Sequence, residues 1–124
     1  MYNNNYYVLR NNGLQNMNRW ITQLRKGLLE YLTLNILNQK ETYGYEIIQL
    51  LNAFESMDVT ESTVYPILAR LNKDGFAQVR KSSSPDGPPR RYYSLTPIGK
   101  ARVAQMNQYW DLLNQTIQQI RSKT

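Results

Sequence analysis

Apolar and polar positions alternate along this chain in three distinct rhythms. From about Gln15 to Asn38, Leu24, Leu28, Leu32 and Ile36 recur every four residues. Trp20, Ile21, Leu29, Tyr31 and Leu37 put apolar groups on further sides of the same helix. A helix that is apolar on several sides is buried on several sides, against its own domain and against a second subunit. After a polar break at 39–42, a second helix runs to about Phe54. Thr42 is its expected cap, and Ile47, Leu50, Leu51 and Phe54 form its inner face. A third helix starts at Thr60, an N-cap residue by type. It buries Val64, Ile67, Leu68 and Leu71 and stops at Gly75, suited to the left-handed C′ position. Pro66 stands inside it, where proline loses a backbone hydrogen bond and favours a kink.

The rhythm then changes to period two. Residues 76–82 and 90–95 predict two short strands. Tyr93 and Leu95 lie on one face, with Arg90, Tyr92 and Ser94 on the other. The link between them, 83–89, is Ser-Ser-Pro-Asp-Gly-Pro-Pro and predicts a long loop. Thr96-Pro97 opens a last helix, an N-cap followed by proline at the first turn. In it Val103, Met106, Trp110, Leu113, Ile117 and Ile120 are spaced 3, 4, 3, 4, 3, the rhythm of a coiled-coil seam. A helix of about 25 residues is roughly 37 Å long, and such a seam calls for a partner. Packing on its own domain is the alternative; the regular spacing favours self-association.

The predicted fold is therefore mainly α with a small β-hairpin. It divides into a polar tail over 1–14, a winged helix-turn-helix over 15–96 and a C-terminal dimerisation helix over 97–124. The second and third helices form the helix-turn-helix, and the hairpin after them is the wing. The third helix is the one that would enter the major groove.

Composition narrows the chemistry. The chain of 124 residues carries a formal charge of +6 and has neither cysteine nor histidine. Disulfides and thiolate or imidazole metal sites are excluded, as is the usual general base. The nine acidic residues are scattered, so no enzyme, cofactor or metal is expected. No apolar run approaches the roughly 20 residues of a membrane span. The first residues lack a hydrophobic signal core, so the expected location is the cytoplasm. Basic charge suits a polyanion, and it is unevenly spread. Arg70, Lys73, Arg80, Lys81, Arg90 and Arg91 stand between Thr60 and Arg91, against Glu61, Asp74 and Asp86. Gly27 to Val59 holds Glu30, Glu41, Glu46, Glu55 and Asp58 against Lys40 alone. Positive charge is thus concentrated on the proposed reading head. The candidate contacts to double-stranded DNA are Tyr43, Ser62, Thr63, Tyr65, Arg70, Lys73, Arg80, Lys81, Arg90, Arg91 and Tyr92. Ser62, Thr63 and Tyr65 suit base edges or phosphate oxygens, while Arg70 and Lys73 suit backbone charge.

Several segments together resemble the PadR family of transcriptional regulators. They are Leu24-Arg25-Lys26-Gly27-Leu28-Leu29-Glu30, Tyr43-Gly44-Tyr45-Glu46-Ile47, Thr63-Val64-Tyr65-Pro66-Ile67-Leu68-Ala69-Arg70-Leu71, Gly75-Phe76 and the run from Gly87 to Gly99. The single C-terminal helix is similar to the shorter subgroup. The resemblance implies a homodimeric winged helix-turn-helix repressor on a palindromic promoter site, and a recognition helix that tolerates proline. It implies a dimer interface made by the first and last helices, here Trp20, Leu24, Leu28, Val103, Met106, Trp110, Leu113, Ile117 and Ile120. It further implies a small planar aromatic or cationic effector at that interface, with Trp110 in the matching place. Trp110 as plain dimer core is the favoured alternative, since large aromatics mostly fill interfaces. Two other functions stay open at this point. One is a helical adaptor that contacts protein, and the other is a ligand-binding protein without specific DNA binding.

Overall fold

A computed structural model describes residues 16–84 and 86–123, so the polar tail expected over 1–14 lies outside the described residues. The order is α1 (Asn16–Gln39), β1 (Thr42–Tyr43), α2 (Gly44–Asn52), α3 (Glu61–Lys73), β2 (Ala77–Ser84), β3 (Gly87–Leu95) and α4 (Pro97–Ser122). The three strands form one antiparallel sheet in the order β1-β3-β2. Leu34, Ile47, Val64, Leu68, Leu71 and Val103 are the deepest apolar side chains, so α1, α2, α3 and the start of α4 share one core.

The α1 stripe faces this core only in its second half. Leu29, Leu34 and Leu37 are buried, whereas Leu24 is exposed and Leu28, Leu32 and Ile36 are half-buried. Leu32 and Ile36 pack against the edge of the core, so the stripe is open only towards its start, at Leu24 and in part at Leu28.

The beginning of α2 departs from expectation. Thr42 does not cap it. Thr42 and Tyr43 form a two-residue strand instead, in register with Tyr93 and Tyr92, and the Thr42 hydroxyl donates to the Lys40 carbonyl. The helix starts at Gly44, where a Cβ would stand 2.6 Å from the Tyr65 ring. Glycine is what lets α2 cross α3 this closely. The helix also ends early, at Asn52, so its buried face is Ile47, Ile48 and Leu51. The expected inner residues Leu50 and Phe54 are 39% and 65% exposed. What closes the following loop is the Asn52 amide, which donates to the Val59 carbonyl and accepts from the Val59 N–H, both at 2.9 Å.

The buried face of α3 is Val64, Ile67, Leu68 and Leu71, as its spacing predicts. Thr60 occupies the N-cap position, but its hydroxyl pairs with Ser62 Oγ at 2.8 Å and caps no backbone N–H. Gly75 has φ 82°. Phe76 N–H donates to Leu71 O and Gly75 N–H to Asn72 O, the two bonds that close a helix through a left-handed C′ residue. Pro66 lies within α3.

The hairpin is longer, and its tip tighter, than the sequence predicts. Pairing continues out to Ser84 opposite Gly87, with an irregularity between Ser82 and Ser84. Pro88 and Pro89 fall inside β3 opposite that irregularity, beyond the two residues that β1 covers. Missing N–H groups are tolerated there, because no regular ladder bond needs them. Thr96 caps α4 as expected, accepting from Gly99 N–H at 3.1 Å, with Pro97 at the first turn.

Candidate nucleic-acid interface

The helical spacing of α3 decides which side chains face outward. With Val64, Ile67, Leu68 and Leu71 pointing inward, the outermost ridge is Ser62, Pro66, Ala69 and Lys73, all exposed. The ridge is narrow and smooth, with short side chains until its last turn. Pro66 therefore stands at the middle of the outward face, away from the core. Tyr65 flanks this ridge on the wing side, and Thr63 and Arg70 flank it on the other. Partial burial, then the nearby Glu61 carboxylate, raise the Tyr65 phenol above its ordinary pKa. It stays a protonated hydrogen-bond donor at neutral pH.

Between α3 and the wing lies an open cleft of about 870 Å³. Of the candidate residues it brings together Tyr43, Tyr65, Arg90, Arg91 and Tyr92, and it adds Tyr45, which sequence reasoning did not select. Ser62, Thr63, Arg70, Lys73, Arg80 and Lys81 lie outside this cleft, though all are exposed.

The basic residues of the reading head fall into two groups. Arg80 is held by Glu41, with Nη2 2.6 Å from Oε1 and Nε 3.2 Å from Oε2. The hydrogen bond from Arg80 lowers the Glu41 pKa, and the same bond raises that of Arg80. Arg70 reaches Glu30 of α1 at 3.7 Å. Lys73, Lys81, Arg90 and Arg91 have no carboxylate partner among the described residues. The charge segregation read from the sequence is thus partly undone in space, since two acids of the acidic segment are laid against two of the basic side chains. Sequence pattern gave no signal for Glu41, because its neighbour strand is two residues long.

Aromatic rings tie these groups together across the sheet. The Arg80 guanidinium lies 4.9 Å from the Tyr92 ring centroid. Tyr92 and Tyr43 are 5.7 Å apart, and Arg90 lies 4.9 Å above Tyr43. Cation–ring attraction at this range contributes about 0.5–1 kcal/mol at exposed sites. The result is a ladder, Arg80–Tyr92–Tyr43–Arg90, that fixes the wing to the start of α2.

A match to the model of the transcriptional regulator PadR-like family covers residues 33–105, from the second half of α1 into α4. The chain belongs to the PadR-like family of transcriptional regulators. Solved structures agree. A PadR-like transcription factor from Bacteroides fragilis is 37% identical, with a TM-score of 0.71 over 80% of this chain and 95% of that one. A Streptococcus transcriptional regulator is 42% identical, with a TM-score of 0.69 over 80% and 97%. PadR of Bacillus subtilis, solved in complex with operator DNA, is 28% identical. There the TM-score is 0.57 over 64% of this chain and 46% of that longer one. The family consists of transcriptional regulators with a winged-helix fold, which is the fold found here.

The candidate interface residues lie on α1 and α4, and they fare unequally. Val103 is 1% exposed and belongs to the chain's own core, so it is removed from the interface set. Met106 and Leu28 are half-buried in the same chain. Trp20, Leu24, Trp110, Ile117 and Ile120 are exposed, and Leu113 is half-exposed. Tyr31 donates its hydroxyl to Asn107 Oδ1, and its ring lies 5.9 Å from Trp110. A cleft of about 460 Å³ opens beside this pair, lined by Leu28, Met106, Tyr109 and Leu113 among others. Among the described residues no group of acidic side chains is placed to hold a metal ion. No helix among them is long and apolar enough to cross a membrane.

Proposed function

We propose that this chain is a cytoplasmic transcriptional repressor that binds double-stranded operator DNA as a homodimer. The smooth outer ridge of α3 enters the major groove, which admits one helix. Ser62 and Thr63 in its first turn serve base edges or phosphates. Ala69 and Pro66 offer apolar contact of the kind that thymine methyl groups accept. The observation that carries the reading is the placement of Lys81, Arg90 and Arg91. These are exposed wing cations without carboxylate partners among the described residues, and Arg90 and Arg91 line the cleft beside α3. Two copies joined through the open faces of α1 and α4 would present two reading heads, at about 34 Å for half-sites one turn apart.

An effector site is a second element of the proposal, favoured by the Tyr31–Trp110 pair and its adjoining cleft. A flat aromatic or cationic molecule would stack there and change the angle between the two heads.

The test replaces Arg90 and Arg91 by alanine and measures affinity for the chain's own upstream DNA across a salt series. Losing two phosphate contacts lowers the slope of log K against log salt by about 1.8. An unchanged slope and affinity would remove the wing from the DNA interface and favour contact with a protein partner instead.

A further inference from the structure

Arg80 differs from the other wing cations in being immobilised from two sides. Glu41 grips it through two hydrogen bonds, and the Tyr92 ring supports it from β3. Glu41 stands just before β1, on the far side of the sheet order from β2, so this one bridge spans all three strands. The neighbouring Lys40 does not cancel the carboxylate, because it turns to Glu46 at 3.4 Å. Both partners of the Glu41–Arg80 pair are substantially exposed, and an exposed ion pair contributes little to folding stability. Stability alone is therefore a weak reason for an acid held against a wing cation.

Electrostatics supplies a stronger one. Binding to DNA of arbitrary sequence rests almost wholly on cations that displace condensed counterions. In such loose complexes any mobile cation near the duplex adds to affinity. In a docked operator complex the fixed geometry of α3 and the wing decides which cations reach phosphate.

We propose that Glu41 is a specificity-determining residue: by neutralising and anchoring Arg80 it withholds one wing cation from DNA of arbitrary sequence. The inference rests on the DNA-binding reading above. It adds a device that widens the ratio between operator and background, the quantity on which a regulator depends in a genome of competing sites.

The test compares the full-length wild type with Glu41→Gln, Arg80→Gln and the double variant on two duplexes, the chain's own upstream fragment and a scrambled fragment of equal length. Glu41→Gln is expected to raise affinity for the scrambled duplex about fivefold at 0.15 M salt and to steepen its salt slope by about 0.9, the effect of one released phosphate contact. Operator affinity is expected to rise by less, so the ratio falls. The double variant is expected to lose the gain, because the effect runs through Arg80. An unchanged slope on the scrambled duplex, or a gain that persists without Arg80, would overturn the role of Glu41. A wild type that binds neither duplex overturns the DNA-binding reading itself, whereas a wild type that binds with no response to Glu41→Gln overturns only this inference.

Discussion

The reading head and the two projecting helices are built on opposite terms. In the head, α2, α3 and the sheet close around one buried apolar core, with Val64 and Leu68 at 0% exposure. In the arms, made by the first half of α1 and the second half of α4, apolar side chains stand out into solvent. Trp20 is 59% exposed and Ile120 is 62% exposed. The head is complete as one chain, while the arms carry the pattern of a core with half of it missing. Under the proposed dimer, that contrast puts folding stability in the head and assembly on the arms.

Truncating the head should have the largest effect on stability. Leu68→Ala removes a fully buried side chain shared by α3 and the core and should cost about 2–5 kcal/mol in denaturant unfolding. Gly44→Ala should follow at about 1–3 kcal/mol, because the added methyl meets the Tyr65 ring. The variant should also weaken DNA binding, since Tyr65 flanks the presented face of α3. The arms should respond in the other currency. Replacing Ile117 and Ile120 together by lysine should leave the secondary structure of the head intact yet raise the dimer dissociation constant at least about tenfold, as loss of two interface anchors implies. Sedimentation equilibrium reads this directly, and an unchanged molecular mass would erase the distinction between head and arms.

Smaller effects sharpen the picture. Thr33 is fully buried on α1 with a hydroxyl that finds no partner among the described residues. Thr33→Val should therefore stabilise the chain by about 1 kcal/mol. The smallest effect concerns pH. Glu41 titrates below its ordinary value because Arg80 donates to it. A carboxylate with a depressed folded-state pKa adds stability above its unfolded value and loses it as pH falls through the folded one. The bridge should therefore open at a lower pH than an unpaired glutamate would protonate. A Glu41 side-chain NMR titration should show that midpoint move up towards the ordinary value in Arg80→Gln.

Much of the head was legible in the sequence because its signals are local. Thr96-Pro97, Gly75 and the spacing of Val64, Ile67, Leu68 and Leu71 each act within one or two turns, and each appears as expected. What the sequence hid depends on partners far along the chain. Thr42 looks like a helix cap until Tyr93 recruits it into a strand. At its other end α2 stops at Asn52, which leaves Leu50 and Phe54 outside its buried face. Pro88 and Pro89 look like loop residues until the strand irregularity opposite makes room for them. The cations of the candidate site were legible by type. Which of them remain unpaired was not, because Glu30 and Glu41 come from the acidic segment and meet Arg70 and Arg80 only in three dimensions. Val103 fits the seam by spacing, but the same helix serves the chain's own core at its start and a second surface beyond it.

The central claim is that two such heads, held together by their arms, read one duplex. The direct measurement is the mass and affinity of the complex with the chain's own upstream fragment at 0.15 M salt, beside a scrambled duplex of equal length. The account predicts two chains per site and a preference of about 10³-fold or more over the scrambled sequence. A single chain per duplex, or equal affinity for both fragments, would contradict it.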